Sequence, residues 1–133
     1  MGVSLDPQQQ RAYQDDGVLF PLPAVAASEA SAACDHALAF LECQGSEARA
    51  VDSSQVHLFL PWAFDLVTDS RVLDAVEGVL GPDIIAWATT LFAKPPGDPS
   101  RVTWHQDGTY WGLDSTQVTT AWIALTVSNA ANG

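Results

Sequence analysis

The chain has 133 residues, with 16 Asp and Glu against five Lys and Arg, for a formal net charge of -11. That balance opposes any phosphate-backbone partner, whose binding depends on basic side chains, so nucleic acid is excluded as a partner class. No apolar run reaches the roughly 18 to 20 residues of a membrane span, and the opening MGVSLDPQQQ lacks the basic and apolar parts of a signal peptide. The chain therefore reads as cytoplasmic, with no membrane partner and a solvated acidic surface.

Asp6 followed by Pro7 is an N-cap and first-turn pair, and Gly17 is a natural left-handed stop, so a short helix is expected over residues 7–16. The sequence VLFPL, limited by Pro21 and Pro23, predicts a brief edge strand at 18–22. From about Val25 to Gln44, Ala33, Ala37, Phe40 and Leu41 recur at helical spacing, which predicts a long amphipathic helix ending at Gly45. Cys34 and Cys43 would lie about 13 Å apart along its axis, too far for a disulfide, and are expected as buried or half-buried thiols. Residues 45–54 are polar and loop-like, and 57–60 are expected to be extended up to Pro61. Two short helices follow. The second is capped by Ser70, carries Val72, Leu73, Val76 and Leu80 on its buried stripe, and stops at Gly81-Pro82.

The character then changes. The run DIIAWATTLFAK, 83–94, is rich in β-branched and aromatic residues, as a strand buried on both faces would be. A rigid loop at 95–99 precedes strands expected at 102–105 and 119–127. In the last, Ala121, Ile123, Leu125 and Val127 alternate with Thr120, Trp122, Ala124 and Thr126, giving an aliphatic side and a mixed side that suits a cavity wall. Helices first and strands later define an α+β class in a single domain, 1–133, mainly helical over 1–82 and stranded over 83–133. The closing Asn132-Gly133 is a hairpin-turn pair with no returning strand, so the sequence reads as truncated.

Chemistry concentrates in WHQDGTYWG, residues 104–112. His105 and Asp107 are two apart, so on a strand running into a turn both reach one side and offer an imidazole nitrogen and a carboxylate oxygen to one metal ion. They form two-thirds of the two-His, one-carboxylate triad that leaves three positions open on iron(II). Alone, His-x-Asp is a weak signal in a chain with twelve Asp and three His, and an ion pair or a turn cap before Gly108 is the plainer explanation.

The flanking sequence decides between these readings. From about Val79 to Gly133, GPDIIAWATTLFAKPPGDPSRVTWHQDGTYWGL followed by VTTAWIALTVSNAANG resembles bacterial members of the phytanoyl-CoA dioxygenase family. YQDDGVLFPL, 13–22, and LPWAFDLVTDSRVLDAVEGVLGPD, 60–83, also resemble that family, so the likeness covers nearly the whole chain.

The resemblance implies N-terminal helices packed on part of a double-stranded β-helix, a jelly-roll or cupin-like barrel, incomplete at its C-terminus. It makes His105 and Asp107 ligands of Fe(II), with 2-oxoglutarate and O2 as cosubstrates. It puts Gln106 and Trp122 in or beside the 2-oxoglutarate pocket, with Thr90 at a further cosubstrate-contacting position. For Gln106 and Trp122 the plain alternatives are a strand-edge amide and a core indole. His57 reads as a hydrogen-bonded core residue, Lys94 and His36 as surface. The family's second iron-binding His and its 2-oxoglutarate-clamping Arg lie beyond an Asn-Gly turn and are absent here, which implies weak iron retention and little or no turnover.

The reading is therefore an oxidoreductase hydroxylating a small organic substrate, of undetermined identity and oligomeric state. Asp107 favours hydroxylation over halogenation, because related iron halogenases lack that carboxylate. Its rivals are a non-catalytic remnant that binds a partner and a metal-binding barrel without oxygen chemistry.

Overall fold

The computed structural model describes residues 4–44 and 54–131. The loop expected over 45–54 lies outside them except for Ser54, and the expected Asn132-Gly133 turn lies wholly outside them.

Helix α1, Pro7–Asp16, begins as its sequence predicts. The Asp6 carboxylate accepts from the backbone N–H of Gln8 and Gln9 at 2.7 and 2.8 Å, and the Gln9 side chain accepts from the Asp6 N–H at 2.9 Å. This reciprocal capping satisfies donors that the first helical turn leaves without partners. Gly17, at φ 71°, closes the helix by donating to the Tyr13 carbonyl. Helix α2, Ala27–Gln44, starts two residues later than the sequence predicts and buries Ala33 and Ala37, four apart on one face. Both cysteines are free thiols, Cys34 half-buried and Cys43 exposed rather than covered.

Of residues 57–60, expected to be extended, only Leu60 is, at φ -109° and ψ 109°. Val56–Leu58 form one 3-10 turn, with Gln55 before it in a left-handed conformation at φ 56°. Helix α3, Pro61–Val67, follows with Pro61 in its first turn, and helix α4, Ser70–Leu80, follows that. Asp69, not Ser70, caps α4, because Asp69 holds the extended backbone an N-cap requires and accepts from the Arg71 N–H at 2.8 Å. Helix α1 packs on α4, α2 on α3, and α3 on both α4 and the 3-10 turn. Leu5, Ala33, Ala37, Val56, Ala63 and Val72 are buried at or beside these contacts.

Gly78 in α4 has a packing role. A Cβ there would come within 2.9 Å of the Leu5 side chain, and the Gly78 carbonyl accepts from Gln10 Nε2 at 3.0 Å. The missing side chain lets the segment before α1 and α1 itself settle onto α4.

The expected α+β architecture, with helices backing part of a double-stranded β-helix barrel, is overturned. Among the described residues there is no sheet, and the single antiparallel bridge joins Ser54 to Thr90. The sequences at 18–22, 83–94, 102–105 and 119–127 have strand composition, yet a strand exists only when a neighbouring backbone takes its N–H and C=O groups in register. β-propensity measures fit to such a surface and does not create one. Ile85, Phe92, Val102, Trp104, Trp122 and Val127 are accordingly exposed.

Arg71 ties the helical layer together. Its guanidinium makes two hydrogen bonds to the Glu29 carboxylate of α2, at 2.8 and 3.0 Å, and two to the Asp69 cap, at 2.9 and 2.6 Å. The Arg71 side chain, and then its backbone N–H, hold the Asp69 carboxyl down at about 2, and Arg71 with the Ala26 N–H also lowers Glu29. A carboxyl depressed on folding adds stability above its unfolded value, and that stability is lost as pH falls through the folded one. The contribution of Asp69 should therefore disappear between about pH 4 and about pH 2. Urea unfolding followed by circular dichroism should show a shallower acid decline for Asp69→Asn, which retains a capping oxygen, than for the unaltered chain. Identical acid limbs would contradict the assignment.

Candidate metal centre

Residues 101–106 run without regular structure into a one-turn helix, α5, Gly108–Trp111, entered through Asp107 at φ -56° and ψ -43°. The strand expected at 102–105 is thus an unpaired approach segment, and its continuation is helical. The two side chains nevertheless meet. His105 Nε2 and Asp107 Oδ1 face each other at 3.0 Å. The carbonyl of Thr103 accepts from His105 Nδ1 at 2.7 Å, and the Tyr110 ring meets the imidazole edge-on with centroids 6.1 Å apart.

The Asp107 carboxylate has a second partner. Thr120 Oγ1 lies 2.5 Å from Asp107 Oδ2, bridging 13 residues of sequence. The His105 and Asp107 side chains are 36% and 33% exposed, so the pair is open to solvent. His105 is raised above its ordinary value, first by the Thr103 carbonyl and then by Asp107, with desolvation opposing them. Protonated, the ring donates from Nδ1 to Thr103 and from Nε2 to Asp107. Neutral, it keeps the Nδ1 proton on Thr103 and presents a lone pair at Nε2, the tautomer that metal-binding histidines adopt.

The separation also suits a cation. Two adjacent ligands of an octahedral ion, each bonded at about 2.1 Å, are themselves about 3.0 Å apart. An imidazole nitrogen with a carboxylate oxygen is a donor set appropriate to iron(II). Among the described residues no group of three or more His, Cys, Asp or Glu converges on one point, so no third such side chain joins His105 and Asp107 there.

The other expected site residues are dispersed. Trp122 is largely exposed and stacks on Phe92, with centroids 5.6 Å apart at 24° between the planes. Thr90 is exposed and forms the bridge to Ser54. Gln106 is exposed, and its carbonyl accepts from the Thr109 N–H in the turn that opens α5. His57 is buried, with Nδ1 2.7 Å from the Thr89 hydroxyl, which makes it a hydrogen-bonded core residue. Lys94 and His36 are exposed, and His36 stacks on Trp62. Thr120 and Tyr110 join the pair although no motif marks them; the alternation over 119–127 puts Thr120 on the mixed side with Trp122.

An open cleft of about 340 Å³ lies between α1, the end of α4 and residues 116–118, lined by Gln10, Tyr13, Leu80 and Gln117 among others. Neither His105 nor Asp107 lines it.

The sequence profile of the phytanoyl-CoA dioxygenase (PhyH) family matches residues 13–133, and the chain belongs to that family. Two relatives are ectoine dioxygenases. The protein from Streptomyces avermitilis is 31% identical over 115 residues, covering 84% of this chain and 36% of the relative. The protein from Streptomyces coelicolor is 30% identical over 115 residues, covering 84% and 35%. The chain therefore spans about a third of the length of these curated relatives. No solved structure matches it significantly.

Because the Thr103 carbonyl and the Asp107 carboxylate both favour the imidazolium, stability from the pair is complete below the unfolded histidine value, about 6.5, and is lost as pH rises through the higher folded one. In metal-free protein, NMR titration should place His105 above an ordinary histidine. Asp107→Asn should lower it only in part, since Thr103 is the larger cause. An unchanged titration in that variant would rule out the contact.

Proposed function

We propose that this chain carries part of the metal centre of an iron(II), 2-oxoglutarate-dependent dioxygenase that hydroxylates a small organic substrate. The observation carrying this reading is the 3.0 Å approach of His105 Nε2 to Asp107 Oδ1 in a member of a dioxygenase family. His105 and Asp107 are the two ligands in this reading. When bound, iron supplies the oxygen chemistry, with 2-oxoglutarate and O2 as cosubstrates.

The protein's own groups hold and orient. Thr103 fixes the tautomer that leaves Nε2 available, and Asp107 brings a negative charge that offsets part of the cation's. A carboxylate at this position favours hydroxylation over halogenation. Gln106, Trp122 and Thr90 are proposed at the cosubstrate pocket. Supporting this for Trp122, it is two residues from Thr120, which touches Asp107, and it stacks on Phe92, two residues from Thr90. Gln106 stands between the two ligands in sequence. With two protein ligands, the 133 residues by themselves should hold iron weakly and turn over little.

The complete reading frame that carries this chain should be expressed, loaded anaerobically with iron(II), and assayed for succinate from 2-oxoglutarate. Two relatives are named for ectoine, so ectoine belongs first in the substrate panel. Succinate should require iron and rise with a hydroxylated product. His105→Ala and Asp107→Ala should each cut turnover by more than about 100-fold, beyond the effect of losing an outer hydrogen bond. Iron-independent succinate, or full activity in either variant, would end the proposal.

A further inference from the structure

We infer that Thr120 is a positioning residue for Asp107, and that Tyr13 on α1 keeps Thr120 in place through its neighbour Thr119. The inference rests on the reading of Asp107 as a metal ligand. It concerns residues that the ligand motif itself does not contain.

A carboxylate entering a turn can rotate and offer either oxygen, or both, to a cation. Asp107 is not free to do so. Its Oδ2 is 2.5 Å from Thr120 Oγ1, and because an ionised carboxylate has no proton to give, the hydroxyl is the donor. The distance belongs to the short, charge-assisted class of hydrogen bonds. With Oδ2 occupied, Oδ1 is the oxygen left on the His105 side. Thr120 thus sets both the rotation of the carboxylate and which of its oxygens is offered, the part played by outer hydrogen-bond partners at metal sites.

Thr120 needs an anchor, because residues 117–124 belong to no helix or strand. The anchor is adjacent. The Tyr13 hydroxyl and Thr119 Oγ1 are 2.6 Å apart, a contact across 106 residues of sequence. Tyr13 is itself fixed, since α1 is docked on α4 by the Gln10 bond to the Gly78 carbonyl and by Leu5 seated on Gly78. A continuous path therefore runs from the N-terminal helix through two consecutive threonines to the carboxylate. Thr119 is half-buried and Thr120 exposed, as expected if one reaches inward to the helix and the other outward to the pair.

The test uses the complete reading frame and measures iron(II) affinity anaerobically by competition with a chromogenic chelator, with the unfolding midpoint determined for each variant. Thr120→Val keeps the shape and removes the hydroxyl. It should weaken iron binding by about 10- to 100-fold at an unchanged unfolding midpoint, and Thr120→Ser should restore affinity to within about threefold. Tyr13→Phe should weaken binding in the same direction by a smaller factor.

Asp107→Ala is the control that separates the two claims. If it abolishes binding while Thr120→Val binds as the unaltered protein does, the positioning role is wrong and the ligand reading stands. Equal losses in Thr120→Val and Thr120→Ser would also overturn the role, since the hydroxyl would then not be the cause. A silent Tyr13→Phe would remove Tyr13 from the path. Unchanged binding in Asp107→Ala would overturn the ligand reading and this inference together.

Discussion

The Asp107 carboxylate is claimed from two sides. One oxygen meets the imidazole of His105 and the other meets the hydroxyl of Thr120. Histidine and aspartate two residues apart in a turn have many relative orientations, and a second hydrogen bond from a distant segment removes most of them. Chemistry proposed for this chain depends on that constraint, because a ligand pair serves a metal only when its lone pairs are aimed before the metal arrives. The Thr103 carbonyl does for the imidazole what Thr120 does for the carboxylate.

The helical layer matters to this pair through a few specific contacts. Arg71 joins the starts of α2 and α4, Gly78 admits Leu5, and α1 lies where Tyr13 can reach Thr119. None of these residues is near His105 in sequence. The contact of Tyr13 with Thr119 gives residues 117–124 a point of attachment to the helices, a service that sheet neighbours would provide in a stranded protein.

Local signals were the most readable. Asp6-Pro7, Gly17, the Ala33–Ala37 spacing and Gly81-Pro82 each act within a turn or two of chain, and the helices lie where those residues put them. The errors at their ends were also local. In the run Thr68-Asp69-Ser70 three residues are competent caps, and only the backbone conformation selects Asp69. The strand readings failed for a different reason. Composition at 83–94 and 119–127 records a preference for extended, covered surroundings, whereas a strand requires a partner backbone, and Ser54 with Thr90 is the one such pairing among the described residues.

The sequence by itself marked helices α1 to α4, carried the family likeness and put His105 and Asp107 forward as a candidate pair, because capping, periodicity and motif residues lie close together in the chain. Tertiary structure alone decided that Asp107 has two partners, that His57 spends its imidazole on Thr89, and that Tyr13 touches Thr119. These are hydrogen bonds between side chains 13, 32 and 106 residues apart. Such contacts depend on where whole segments come to rest, and no short window of sequence contains that information.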